Sequence, residues 1–267
     1  MRESSMFAPC RSSAPLTPAT MPGRSRPIAE SAKRATTRDY SSNMTLGMLY
    51  DVHGNLPALE AVLADAQDVD SWLLGGDYAL FGAWPRETVE RLRELEARWI
   101  RGNGERWTAD PSDASEPVHG AIERCRELLG DELTEELAAL PESVKGDGAL
   151  FFHGSPKSDV ESFFPEPAPG EEDLLGDVTS GLVVFGHTHL PFARVGPRGV
   201  ELVNPGSVGM PFDGDPRAAY AVLLESGEVE HRRVAYDHQA SADAIRARIG
   251  DAGEQAARRV ETASFDA

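Results

Sequence analysis

Short apolar runs that end in Gly, Asp, Asn or His recur along this chain, and the first ones alternate with helical patterns. Leu46-Gly47-Met48-Leu49-Tyr50 predicts a buried strand running into Asp51-Val52-His53-Gly54-Asn55. Leu56, Leu59, Val62, Leu63 and Ala66 then fall at helical spacing, with Pro57 in the first turn. A second strand unit, Asp70-Ser71-Trp72-Leu73-Leu74-Gly75-Gly76-Asp77, is apolar and then closes on a Gly pair and an acid, and it precedes a helical stretch from Pro85 to Ala97. A third apolar pair, Trp99-Ile100, leads into Arg101-Gly102-Asn103-Gly104. Residues 105–148 turn polar: Ile122, Cys125, Leu128 and Leu129 predict one helix, and Leu133, Leu137 and Leu140 another that stops at Pro141. This stretch reads as a helical insertion, the place for a lid or specificity element.

The fourth strand pattern, Ala149-Leu150-Phe151-Phe152, ends in His153, and Val183-Val184-Phe185-Gly186 ends in His187-Thr188-His189. Between them, residues 158–177 form an acidic, proline-rich loop with at most a short helix. Four further apolar runs, 192–195, 200–203, 220–224 and 229–234, are separated by Gly, Pro and Asn and predict an antiparallel meander. A helix is expected over 242–249, and 251–267 reads as a frayed C-terminal tail. The first 43 residues show neither period and are rich in Ser, Pro, Thr, Ala and Arg, which predicts a disordered basic extension or an over-extended start before Met44. One domain over 44–250, with 105–148 inserted, is the expected organisation.

Composition narrows the chemistry. No apolar segment reaches the roughly 18 residues that span a bilayer, and no secretory block opens the chain, so the expectation is a cytoplasmic protein without membrane contact. Two cysteines, Cys10 and Cys125, exclude a disulfide framework and a thiolate metal cluster. The formal charge of -18 is uneven: residues 1–43 carry seven Lys/Arg and three acids, leaving the body more acidic than the total. A polyanion would be repelled by that body at long range, so stable nucleic-acid binding is not expected.

The strand ends together supply Asp51, His53, Asp77, Asn103, His153, His187 and His189. Each has an ordinary alternative. Asp51 or Asn55 can cap the following helix, Gly-Asn-Gly is a common turn, and a lone histidine is usually a core residue. Capping does not account for a His two places from an Asp on extended backbone, where both side chains point the same way. Oxygen and imidazole donors without thiolate suit Mn, Fe, Zn, Co or Ni, and seven donors exceed one four- to six-coordinate ion. Two divalent ions are indicated, with Mn the first choice.

Taken in order, Asp51-x-His53, Gly76-Asp77, Gly102-Asn103, His153 and Gly186-His187-x-His189 resemble the five blocks of the calcineurin-like metallophosphoesterases. Asn204-Pro205-Gly206-Ser207, followed by Asp215-Pro216-Arg217, is similar to the small bacterial and archaeal phosphodiesterase branch. The resemblance covers roughly residues 44–236. It implies an α/β fold, a four-layer αββα sandwich of two mixed sheets flanked by helices. It also implies one ion on Asp51, His53 and His189, a second on Asn103, His153 and His187, and Asp77 bridging them. Asp77, Asn103 and His153 would be the catalytic centre, and a metal-bridging hydroxide would attack without a covalent phospho-enzyme. The substrate implied is a small or nucleotide-type phosphodiester.

The sequence departs from the family pattern at Gly104, where many members carry a histidine that assists the leaving group; Glu105 follows. Glycine cannot transfer a proton, which favours diesters with good leaving groups. The alternatives are a phosphomonoesterase or Ser/Thr protein phosphatase, or a non-catalytic scaffold of the same fold that binds protein partners. His119 is a substitute acid only if it reaches the site, and a surface position is the safer reading. Arg101, Arg106 and Arg217 match phosphate geometry, Arg101 and Arg217 being the candidates for substrate binding, although each is also an ordinary ion-pair partner. Lys157 carries no more weight.

Overall fold

Strand β1 (Leu46–Leu49) is buried on both faces, so its alternating side chains feed two different cores. The structure, a computed structural model, describes residues 44–266; the predicted N-terminal extension lies outside the described residues. After β1 the chain runs through α1 (Leu56–Asp65), β2 (Ser71–Leu74), α2 (Pro85–Leu92), β3 (Ala97–Trp99), α3 (Asn103–Ala109), α4 (His119–Leu129) and α5 (Asp131–Ala138). It continues through β4 (Ser143–Gly146), β5 (Ala149–Phe152), α6 (Glu171–Leu174), β6 (Leu182–Val184), β7 (Phe192–Val195) and β8 (Glu201–Asn204). Strands β9 (Ala218–Leu223) and β10 (Val229–Val234) and helices α7 (His238–Ile249) and α8 (Glu254–Thr262) complete it.

Two five-stranded mixed sheets result, ordered β10-β9-β1-β2-β3 and β4-β5-β6-β8-β7. Met48, Tyr50, Leu73 and Ile100 from the first meet Phe151, Val184 and Val203 from the second. The outer face of the first sheet, with Leu49, Trp72, Leu74 and Trp99, is covered by Leu59, Val62, Val89, Ile122, Leu129, Leu133 and Leu137 from α1, α2, α4 and α5. On the second sheet's outer face, Val183 and Leu202 pack with Phe163 and Leu175 of the loop around α6. The fold is therefore the mixed α/β class expected, with paired sheets between flanking helices. Asn55 does cap α1, its side chain accepting from Ala58 N at 3.4 Å, an interaction worth about 1 kcal/mol.

Four expectations are corrected. The helix predicted over 85–97 stops at Leu92, because Ala97 and Trp99 pair in parallel with Trp72 and Leu74 and bury against them. Residues 105–148 are not wholly helical. Strand β4 folds back on β5 through Asp147 and Gly148, both at positive φ (52° and 76°), as the tightest hairpin turns require. The meander is two hairpins on different sheets, β7–β8 on one and β9–β10 on the other. Residues 251–267 do not form a tail over their described length. Ala256, Ala257 and Val260 of α8 pack on Ala242 and Ile245 of α7 beside Ala83 and Met210, which ties this segment to the domain.

Candidate metal centre

The strands β1, β2 and β3 are parallel, as are β5, β6 and β8, so their carboxyl ends gather at one edge of the sandwich. Asp51 and His53 follow β1, Asp77 follows β2, and His153 follows β5. His187 and His189 follow β6, and Asn103 opens α3 just after β3. Five of these seven sit in the left-handed backbone region: Asp51 (φ 55°), His53 (48°), Asp77 (56°), His187 (66°) and His189 (58°). Each such residue costs on the order of 1–3 kcal/mol and persists only where its surroundings fix it. The fixing contacts are present. Asp51 N donates to Gly76 O at 3.1 Å, His53 N to Asp77 O at 2.8 Å, and His187 N to Asp51 Oδ2 at 3.0 Å. Asn204 at the end of β8 and Ser207 of the turn after it add their own, the Ser207 hydroxyl donating to Asp51 O at 2.7 Å and Asn204 Nδ2 to Gly186 O at 3.0 Å.

The donor atoms converge. His53 Nε2 lies 3.1 Å from His189 Nε2, and Asp51 Oδ1 lies 3.4 Å from the latter. Asn103 Oδ1 is 2.9 Å from His153 Nε2 and 2.9 Å from His187 Nδ1. Asp77 faces both groups, with Oδ2 3.9 Å from His53 Nε2 and Oδ1 3.5 Å from His153 Nε2. Asp51, His53 and His189 bring one ligand atom each within 4.8 Å of one another, and so do Asp51, Asp77 and His153.

Hydrogen bonding alone leaves this arrangement frustrated. His53, His153 and His189 turn Nδ1 toward the carbonyls of Leu80 (2.9 Å), Gly75 (2.9 Å) and Met210 (2.6 Å). A neutral ring that donates from Nδ1 has a lone pair on Nε2, so the His53 and His189 lone pairs face each other and the His153 lone pair faces a carbonyl oxygen. Asp51 Oδ1 is buried with no hydrogen-bond partner. A cation at each group reconciles these contacts, and the donor set, oxygen and imidazole, fits divalent ions. The Nδ1–carbonyl contacts are the supports that orient metal-binding imidazoles.

Electrostatics agree with that fit. Burial would raise the Asp51 carboxyl, but His189, His153 and His53 hold it well below the usual carboxylate range. Burial and the neighbouring His189 push His53 down to about 4, and burial with His153 does the same for His187. Both rings are thus ready to offer lone pairs at neutral pH. Burial also opposes charge on His153, but Asp77 and Asp51 raise it on balance.

Gly104 has a steric reason. Its N–H donates to Asp77 Oδ1 at 2.7 Å, and a Cβ there would stand 2.8 Å from that oxygen. Glu105 is a buried support that the sequence did not reveal: its carboxylate accepts from Gly102 N, Asp77 N and Tyr78 N at 2.8–2.9 Å. Burial and the Asp77 charge raise it to about 7. The Gly102 contact is a local helix cap, but the Asp77 and Tyr78 donors come from the distant segment after β2, which no local pattern announces.

The centre opens into a cleft of about 1090 Å³ whose floor includes His53, Asp77, Asn103, His187 and His189. The sequence-predicted substrate arginines are not among its lining residues. Arg101 donates to Ala138 O and pairs with Glu142, and Arg217 pairs with Asp215 on the surface. Arg106 is committed to Asp159 and Asp113. His119 bonds to Ala114 O and does not line the cleft either. The lining does include residues the sequence reading passed over: Phe212, stacked on His189 at 4.3 Å, and Arg259 of α8.

A fold of paired mixed sheets with such a centre at the strand ends defines a metallophosphoesterase. The chain belongs to the calcineurin-like phosphoesterase superfamily, whose domain profile matches residues 44–227, and it is a metal-dependent phosphoric ester hydrolase. It is 30% identical over 220 residues to the uncharacterized protein MJ0912 of Methanocaldococcus jannaschii, covering 72% of this chain and 88% of that one. Phosphodiesterase YfcE of Escherichia coli K12 is 33% identical over 196 residues, 67% of this chain and 87% of YfcE. Among solved structures, a metallophosphoesterase from Sphaerobacter thermophilus superposes with a TM-score of 0.69 at 28% identity, over 83% of this chain and 99% of that one.

Proposed function

We propose that the protein is a dinuclear phosphodiesterase acting on a small or nucleotide-type phosphodiester. In this reading Asp51, His53 and His189 hold one divalent ion, Asn103, His153 and His187 hold the other, and Asp77 spans them. When bound, such a pair supplies Lewis acidity toward a phosphoryl group and lowers the pKa of water. The chain's own part is positional. Leu80, Gly75 and Met210 carbonyls fix the tautomers of three rings, Glu105 clamps the backbone before and after Asp77, and Ser207 fixes the backbone of Asp51.

The observation that carries the choice of diester is Gly104. Glycine offers no side chain that could protonate a leaving group there, and its N–H is bonded to Asp77 Oδ1. His119 does not line the cleft, and Glu171, which does, is committed to Arg194 at 2.5 Å. With glycine at the position of the family's usual histidine, esters whose leaving group departs unprotonated are favoured, and the nitrophenyl diesters are of that kind. Manganese is the ion proposed, on a thiolate-free set of three oxygen and four imidazole donors. YfcE, a phosphodiesterase by name, supports the same choice.

The test is a phosphoester panel run with each divalent metal. Manganese-loaded protein is expected to cleave bis(4-nitrophenyl) phosphate faster than 4-nitrophenyl phosphate, and Asp77→Ala or His153→Ala to abolish the reaction. A preference for monoesters, or full activity in both variants, would contradict the proposal.

A further inference from the structure

Arg259 is distinguished by what it lacks. Every other arginine among the described residues is paired with a carboxylate. In a chain of net charge -18 such partners are plentiful. Arg259 instead lines the metal-centre cleft, half-buried, with its guanidinium over the Phe265 ring at 4.2 Å and the Phe212 ring at 5.7 Å. Its Nε donates to Phe265 O at 3.1 Å, and its two terminal nitrogens have no acceptor among the described residues. Asp266 is near enough to favour the charge but forms no ion pair, and burial pulls the guanidinium below its ordinary pKa. The guanidinium is packed against two rings and half-buried, and its terminal nitrogens are unsatisfied among the described residues.

Its place relative to the metal centre follows from the rings. Phe212 stacks on His189, and Arg259 stacks on Phe212, so the cation stands two ring contacts from the donor set. Phe212 thus lies between the guanidinium and the His189 ring, in contact with both. The cleft mouth between is apolar: Val160, Phe164 and Phe265, three of the exposed large hydrophobic residues, line it. A planar group that stacks, followed by an anion that meets a guanidinium fork, matches this sequence of surfaces.

Resting on the phosphodiesterase reading, we propose that Arg259 forms a second, non-scissile anion subsite, which selects phosphodiesters carrying a planar aromatic group and a further phosphate. The acidic body sharpens the argument. Without a local cation, an additional negative charge on the substrate would be repelled. Beyond the metal centre, Arg259 is the Lys or Arg side chain that lines this cleft among the described residues and can meet that charge.

Two 4-nitrophenyl esters test this: thymidine 5′-(4-nitrophenyl phosphate) and the same ester bearing a 3′-phosphate. The wild type, manganese-loaded, is expected to prefer the 3′-phosphorylated ester by about tenfold in kcat/KM, mainly through KM. Arg259→Gln is expected to bring that ratio to one or below, and Arg259→Lys to retain part of it. A ratio is measured within one preparation, so partial loss of folded protein does not mimic the effect. Equal turnover of the two esters by the wild type, or a preference that survives Arg259→Gln, would overturn the subsite. Calorimetry separates the two readings by comparing thymidine 3′,5′-bisphosphate with thymidine 5′-phosphate. If no diester is cleaved but the bisphosphate binds more tightly in an Arg259-dependent way, the subsite stands and the phosphodiesterase reading falls. If diesters are cleaved but neither turnover nor binding distinguishes the 3′-phosphate, the subsite falls alone.

Discussion

His187 and His189 stand two residues apart yet contact different partners, Asn103 in one case and His53 in the other. The two substitutions are therefore expected to differ. His189→Ala weakens the Asp51/His53 group first and His187→Ala the Asn103/His153 group first, and each variant should lose one of two phases in a calorimetric manganese titration. Loss of the same phase in both would refute the assignment. Gly104→Ala is expected to weaken metal binding by about tenfold, because its Cβ displaces the Asp77 carboxylate or the backbone that holds it. Unchanged affinity would show that the helix start shifts freely. The convergence of the seven candidate donors was legible in the sequence because each ligand-type residue follows an apolar run, and strand ends are where an open sheet presents its chemistry. Their left-handed backbone was not legible, since a strained φ is fixed by contacts such as Ser207 to Asp51 that come from distant segments. Arg259 and the contacts of Glu105 with Asp77 and Tyr78 were hidden for the same reason: their partners lie far off in the sequence or outside any local motif.

Helix α8 shows the same limit among the elements. Its few apolar residues, Ala256, Ala257 and Val260, are too small to advertise a buried face, yet they close on Ala242 and Ile245 of α7 and bring Arg259 to the cleft. Ile245→Ala is expected to cost about 2–4 kcal/mol in urea unfolding, as for other fully buried branched residues. A cost near zero would mean that the α7–α8 pair is peripheral. The paired sheets were anticipated from the family resemblance, with which the apolar runs of the strands were consistent. The boundary at Leu92 and the hairpin at Asp147-Gly148 were missed for different reasons. At Leu92 a helical period continued into a segment that strand pairing claims. At Asp147-Gly148 the tight-turn signal was present, but it lay inside a stretch read as helical throughout.

For the molecule as a whole, among the described residues no helix is long and apolar enough to cross a membrane. The donor histidines give metal-free protein a definite pH dependence. His53 and His187 titrate near 4 when folded and near 6.5 when unfolded, so the unfolded chain binds more protons between those values. Stability from these two is complete above about pH 6.5 and is lost as pH falls toward 4; the raised pKa of His153 offsets part of the loss. Thermal melts of metal-free protein are expected to move downward between pH 6.5 and 4.5, and an upward shift would contradict the burial of neutral rings. The most direct test is a manganese titration of metal-free protein, following binding and bis(4-nitrophenyl) phosphate hydrolysis together. Two equivalents bound, with turnover appearing as the second is added, is the predicted result. Saturation at one equivalent, or hydrolysis indifferent to the metal, would contradict a dinuclear centre.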